Sequence, residues 1–180
     1  MDHEFDEFAE HPTFTIFPEN TPRETITAAN DKMYNVWNNG VYRAGFAQTQ
    51  EAYEQGVKDV IEYLDYAEQL LGTRRFLCGS TFTESDIRFM VTALRFDGVY
   101  NVHFKCSLKK ITEYPNIYAY MRDVFQNIFN EEARKSFSEI HIKWHYYRSH
   151  EKINPFGIVP ITAPLKLEDP VDRASQFSKL

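Results

Sequence analysis

Cysteine is scarce in this 180-residue chain: Cys78 and Cys106 are the only two, and neither sits in a Cys-x-x-Cys pair or a Cys/His ligand spacing. That leaves no disulfide framework or thiolate zinc site to read, and two buried, reduced thiols in a cytosolic-type compartment are expected. Basic residues are in the minority as well. A net charge of −6 and a pI near 5.5 argue against nucleic acid or an anionic membrane as partner, because both reward a basic surface. The small cluster Lys105, Lys109 and Lys110 reads as a solvated face. No apolar run approaches the length of a membrane span, and Met1-Asp2-His3-Glu4-Phe5 has neither the basic start nor the apolar run of a signal peptide. A cytoplasmic protein is expected. Internal repeats, low-complexity runs and strand-type alternation are missing too, which leaves helices.

What is present is apolar and aromatic. Hydrophobic residues make up 43% of the chain, and 11 Tyr and 15 Phe imply half-wet pockets or interfaces beside one sizeable core. Residues 1–20, broken by Pro12 and Pro18, read as a connector lying on a surface. Thr21-Pro22-Arg23-Glu24 signals a helix start with Thr21 as cap, and Asn38-Asn39-Gly40 signals its end, before an aromatic loop over Val41 to Phe46. Thr49 caps a long amphipathic helix from Gln50 to Leu71, closed by Gly72. The stretch Phe82 to Arg88 is the best-marked start in the chain. Thr83 and Asp86 have capping-box spacing, and Phe82 and Ile87 that of a hydrophobic staple, together worth about 1–3 kcal/mol. The helix beyond is expected to bury Ile87, Val91, Leu94 and Val99. Helices are also expected from Pro115 and over Ser138 to Tyr147. Pro155, Pro160, Pro164 and Pro170 forbid regular helix and make the C-terminal stretch an extended tail. The fold expected is an all-α bundle over residues 21–150 with a tail over 151–180 packed on it.

Several words of the sequence resemble one family. Asn38-Asn39-Gly40-Val41-Tyr42-Arg43-Ala44-Gly45-Phe46-Ala47, Asp86-Ile87-Arg88 with Arg95-Phe96-Asp97, His103-Phe104-Lys105-Cys106 and Tyr114-Pro115-Asn116 resemble the glutathionyl-hydroquinone reductases, the omega-like Xi class of glutathione transferases. So do His145-Tyr146-Tyr147-Arg148-Ser149-His150, Ile153-Asn154-Pro155 and Ile158-Val159-Pro160. The resemblance runs from about residue 5 to 164 and implies the C-terminal helical domain of that family, with residues 1–20 as a linker remnant. Family members place a thioredoxin-like domain first, carrying a Cys-Pro-Trp-Ala site. That word is not in this sequence, so the chain reads as the substrate-binding half, inactive alone. Glutathione is then a co-substrate only when the thiol domain is joined, and no tightly bound cofactor is expected.

The resemblance implies that Tyr42, His145 and Tyr146 surround an aromatic, hydroquinone-type ring. Two phenols and an imidazole can donate to a phenolate while their rings form an apolar wall. The plainer reading makes the tyrosines half-buried core residues and His145 a surface histidine. His141 and His145 have a metal-compatible i, i+4 spacing but no acidic third ligand, so no metal site is assigned. Arg88 and Arg95 with Asp86 and Asp97 read as an ion network around the core helix. The tyrosines Tyr63, Tyr66, Tyr114, Tyr118 and Tyr120 suit an interface, and the resemblance implies a homodimer through the helical domain. A non-catalytic dimerisation or ligand-binding module is the alternative function, and a surrogate cysteine enzyme using Cys106 a third.

Overall fold

A computed structural model gives the fold and describes residues 6–8 and 15–177; most of the connector expected over residues 1–20 lies outside the described residues. The chain passes through α1 (Arg23–Met33), α2 (Gly40–Gly45), α3 (Gln50–Leu71), α4 (Glu84–Arg95), α5 (Pro115–Asp123), α6 (Glu131–Ser136), α7 (Glu139–Ser149) and α8 (Arg173–Phe177). No strand forms among the described residues, where Phe76 and Gly79 make one isolated bridge. The fold is all-α, as the sequence indicates.

Helices α1, α4 and α5 run on into wider π-type turns over Tyr34–Asn38, Phe96–Tyr100 and Val124–Ile128. Their closing hydrogen bonds, Asn39 N–H to the Tyr34 carbonyl at 2.9 Å and Asn101 N–H to the Phe96 carbonyl at 2.8 Å among them, have the i to i+5 reach that defines such turns. Inside the first turn Trp37 is fully buried, its ring 5.3 Å from both Phe89 and Phe96. This stack ties the turn at the end of α1 to α4.

The aromatic loop expected over Val41 to Phe46 is instead helix α2. Asn39 keeps a helical backbone (φ −88°, ψ −23°), so Asn38-Asn39-Gly40 does not stop the chain. Packing overrides the local signal: Val41 and Ala44 are buried, and α2 lies so close to α3 that a Cβ on Gly56 would stand 2.9 Å from the Ala44 nitrogen. On the other side, a Cβ on Gly45 would fall 2.3 Å from Phe104 Cγ. Thr49 caps α3 as expected, accepting from Ala52 N–H at 3.2 Å. Helix α1 starts one residue late, with Pro22 rather than Thr21 at the cap position.

The capping box at the start of α4 forms. Asp86, fully buried, accepts from Thr83 N–H at 2.9 Å and from the Thr83 hydroxyl at 3.2 Å, and its other oxygen accepts from Leu77 N–H and the Tyr120 hydroxyl, both at 2.9 Å. Burial pushes its pKa up, and these bonds pull it back. Leu94 and Val99 are buried as expected, but the other two residues of the expected face are not. Ile87 is 38% and Val91 46% exposed, while Ser85, Asp86, Phe89, Met90 and Ala93 face inward. The Asp86 hydrogen bonds and the Phe89 stack on Trp37 set this rotation, and Phe82 packs edge-on against Phe76 at 5.8 Å with Ile87 on the outer face.

Helix α6, capped by Asn130 on Ala133 N–H at 2.9 Å, lies in a stretch where the sequence signals no helix. Helix α7 begins as expected at Ser138, which accepts from His141 N–H at 3.3 Å. The tail does pack on the bundle: Leu165 and Leu167 are buried, and Gln126 donates to the carbonyls of Leu167 and Asp169. It is not extended throughout. After Pro170 the chain forms α8, whose Arg173, 3% exposed, donates to the Leu71 carbonyl at the end of α3 and to the carbonyls of Arg74 and Arg75 in the turn that follows. Beyond the last proline nothing forbids a helical turn, and the Leu71 carbonyl, last in α3, has no partner within its own helix.

Candidate functional site

A cleft of about 400 Å3 opens where the π-type turns after α1 and α4 meet α2 and α7. Its aromatic wall is Tyr34, Tyr42, Tyr100 and Tyr146, with Val91 and Thr92 of α4 beneath. The Tyr42 hydroxyl lies 2.8 Å from the Tyr146 hydroxyl, which lies 2.8 Å from the Tyr100 hydroxyl. Three O–H groups sharing two hydrogen bonds leave one proton to offer an oxygen in the cleft. Access is graded along the chain of phenols: Tyr42 is 37% exposed and Tyr100 only 3%.

Burial is the main reason the Tyr146 pKa is pushed up to about 12; the Tyr100 hydrogen bond pulls it down, Tyr42 pushes it up, and the Arg95 charge adds a smaller downward pull. Burial likewise raises Tyr100. Tyr146 and Tyr100 therefore act as neutral hydrogen-bond donors near neutral pH.

Behind the phenols lies a second aromatic layer. Phe104 meets Tyr42 edge-on at 5.2 Å and stacks on Tyr100 at 5.4 Å, and His150 stacks on Phe104 at 5.6 Å. His103 Nε2 is 3.1 Å from His150 Nδ1, with the two rings nearly parallel. Burial first, then His150, brings the His103 pKa down to about 4. The pair is uncharged near neutral pH and serves as a polar tie between the end of α7 and the loop after Tyr100.

Of the residues singled out from sequence, Tyr42 and Tyr146 meet in the cleft. His145 does not line it. It stands one residue before Tyr146 on α7, about 100° around the helix, exposed, with its ring 5.5 Å from that of Tyr146. Tyr100, the buried end of the phenol chain, escapes sequence reasoning. Its word, Asp97-Gly98-Val99-Tyr100, carries apolar helical spacing, and only the π-type turn redirects it.

The ion network expected among Arg88, Arg95, Asp86 and Asp97 does not form. Asp97 holds the Ile111 and Thr112 backbone N–H groups and the Thr112 hydroxyl, while Asp86 serves α4. Buried carboxylates here satisfy N–H donors that would otherwise be orphaned. Arg88 pairs with Glu84 at 2.7 Å instead, and Arg95 donates to the Val91 carbonyl. Both arginines line the cleft. Neither cysteine lines the cleft; Cys106 touches its wall only through its backbone N–H, which donates to the Tyr100 carbonyl at 3.0 Å. Cys106 is fully buried, its pKa pushed up to about 12 by desolvation, and Cys78 lies 3.4 Å from the Ser85 hydroxyl.

Residues 50–123 match the family described as "Glutathione S-transferase, C-terminal domain". The chain is 43% identical over 152 residues to the glutathionyl-hydroquinone reductase YqjG of Escherichia coli K12, an alignment spanning 84% of this chain and 45% of that protein. It is 44% identical to the glutathionyl-hydroquinone reductase PcpF of Sphingobium chlorophenolicum, over 77% of this chain and 44% of PcpF. The glutathione-bound structure of YqjG superposes with a TM-score of 0.91 at 39% identity, covering 98% of this chain and 56% of that one. The Xi transferase of Phanerochaete chrysosporium superposes at 0.85 and 40% identity, covering 95% and 57%. The chain thus spans about half the length of the curated relatives it matches. The chain belongs to the Xi-class, glutathionyl-hydroquinone reductase branch of the glutathione transferases and corresponds to their C-terminal helical domain.

Proposed function

We propose that this chain is the aromatic-acceptor half of a glutathionyl-hydroquinone reductase. The observation that carries the reading is the Tyr42–Tyr146–Tyr100 hydroxyl chain at the wall of a 400 Å3 cleft. In the family reaction the ring tautomerises, moving a hydroxyl proton to the carbon that bears sulfur; a cysteine thiolate then attacks the thioether sulfur, a sulfur–sulfur bond forms, and the sulfur–carbon bond breaks with its electron pair passing through the ring to the oxygen, giving the phenolate. Glutathione is the reductant. The residues here do the ring's half of that work: the spare phenol proton is donated to the ring oxygen on which charge develops, and the aromatic wall orients the ring. Neither Cys78 nor Cys106 is placed to supply the thiolate, since burial disfavours ionisation of Cys106 and Cys78 has a hydroxyl, not a cation, beside it.

The purified chain, given glutathione and a glutathionyl-hydroquinone, should show no turnover above background, and fusion to the thiol half of a relative should restore it. Turnover well above background by the chain alone refutes the reading, as does an inactive fusion that folds. A second reading, self-association through the helical domain, is favoured by exposed Ile140, Trp144, Phe156 and Ile158 on and after α7; sedimentation that finds only monomer would remove it.

A further inference from the structure

The proposed acceptor cleft has a charge that an uncharged hydroquinone does not need. In a chain of net charge −6, it is lined by two arginines and, among the described residues, no carboxylate. Arg88 is neutralised from outside the cleft by Glu84, which takes two of its N–H groups at 3.0 and 2.7 Å. Among the described residues Arg95 has no such partner. Its hydrogen bond is to the Val91 carbonyl, which uses one of five guanidinium donors and leaves its charge uncompensated. That charge is felt at the phenol wall, where it stabilises the ionised form of Tyr146. Asn38 cannot hold an anion with its amide, because that nitrogen is spent on the Arg88 carbonyl at 2.9 Å and the Thr92 hydroxyl at 2.8 Å. The cleft thus offers a ring-sized aromatic wall with a phenol donor on one side and a planar, unpaired cation on the other.

We propose that Arg95 makes the cleft selective for phenolic rings that carry, or are tethered to, a carboxylate, which it grips while Tyr42 and Tyr146 hold the ring hydroxyl. The proposal rests on the acceptor-cleft reading. A guanidinium and a carboxylate match as planar, bidentate partners, and in a half-open cleft the pair is worth about a tenfold gain in affinity.

The test is binding to the 180-residue chain, tracked by tyrosine and backbone NMR shifts at 50 mM salt. Two neutral probes, hydroquinone and 2,5-dihydroxybenzyl alcohol, are set against 2,5-dihydroxybenzoate for a ring-borne carboxylate and glutathionyl-hydroquinone for a tethered one. At least one carboxylate probe should bind about tenfold more tightly than the neutral pair, and which one does so identifies the source. Arg95→Gln should remove that advantage by weakening the carboxylate probe about tenfold more than hydroquinone, and Arg95→Lys should restore part of it. Raising salt to 500 mM should weaken the carboxylate probe alone, a readout that needs no variant. Equal affinities for all four probes, or an Arg95→Gln loss shared equally by neutral and charged probes, overturn the selectivity and leave the cleft reading standing. Binding by none of them overturns both.

Discussion

Replacing Tyr146 by phenylalanine removes the middle hydroxyl of the phenol chain and leaves the ring. Tyr42 is 37% exposed, so water replaces its lost partner at a cost of about 0.5 kcal/mol. Tyr100 is 3% exposed, and its hydroxyl, stranded, costs about 1–3 kcal/mol. Tyr146→Phe should therefore destabilise the chain by about 2 kcal/mol. At this length that is a fall in Tm of about 4–8 °C, read by thermal or urea unfolding. The sharper test is the pair. Tyr100→Phe in the same chain removes the stranded group, so Tyr100→Phe/Tyr146→Phe should be at least about 1 kcal/mol more stable than the sum of the single changes allows, because deleting both partners costs less than orphaning one. Hydroquinone binding should fall in Tyr146→Phe and not recover in the double variant. Strict additivity, with unchanged binding in Tyr146→Phe, would show that these hydroxyls neither bond to one another nor serve a ligand.

Other perturbations draw on the same geometry. Asp86→Ala strands the Leu77 and Thr83 N–H groups and the Tyr120 hydroxyl, and urea unfolding should show a loss of about 3–5 kcal/mol; a loss below about 1 kcal/mol would mean the carboxylate is not the hub of the α4 start. Gly45→Ala drives a methyl into Phe104, where its Cβ would lie 2.3 Å from Cγ, and should cost about 1–3 kcal/mol, with shifted Tyr42 NMR signals as the sign that α2 has moved. His103 has a folded pKa lowered to about 4 from 6.5, so its contribution is complete above pH 6.5 and is lost as pH falls towards 4. Allowing for partial solvent access that contribution is about 1–2 kcal/mol, and stability curves of His103→Phe and the parent should converge across that window. Native-state thiol labelling at neutral pH should modify Cys78 faster than Cys106, which is fully buried; equal rates would contradict the packing around Phe104.

Where a residue's own neighbours decide its structure, the sequence is readable. The caps at Thr49 and Ser138 and the capping box of Thr83 and Asp86 all form, because each is a local exchange of hydrogen bonds within four residues. The errors arise where distant packing decides. Asn38-Asn39-Gly40 carries a stop signal that burial of Val41 and Ala44 against α3 outweighs. Ile87 and Val91 have the spacing of a core face, yet four donors converging on Asp86 and the Trp37 stack turn them outward. In the cleft, Tyr42 and Tyr146 came from resemblance rather than pattern, 104 residues apart in sequence. Tyr100 and Arg95 stay hidden because a π-type turn shifts the face that the helical repeat assigns, and because charge spacing alone pairs Arg95 with carboxylates that are occupied elsewhere.

The guanidinium of Arg173 closes a circuit of 102 residues by covering Leu71, the last carbonyl of the longest helix. Anyone trimming the protein for crystallisation or fusion should therefore cut or append beyond Phe177, since a boundary drawn at Pro170, where composition invites it, would remove Arg173 and uncork α3 beside the Arg75–Asp123 pair.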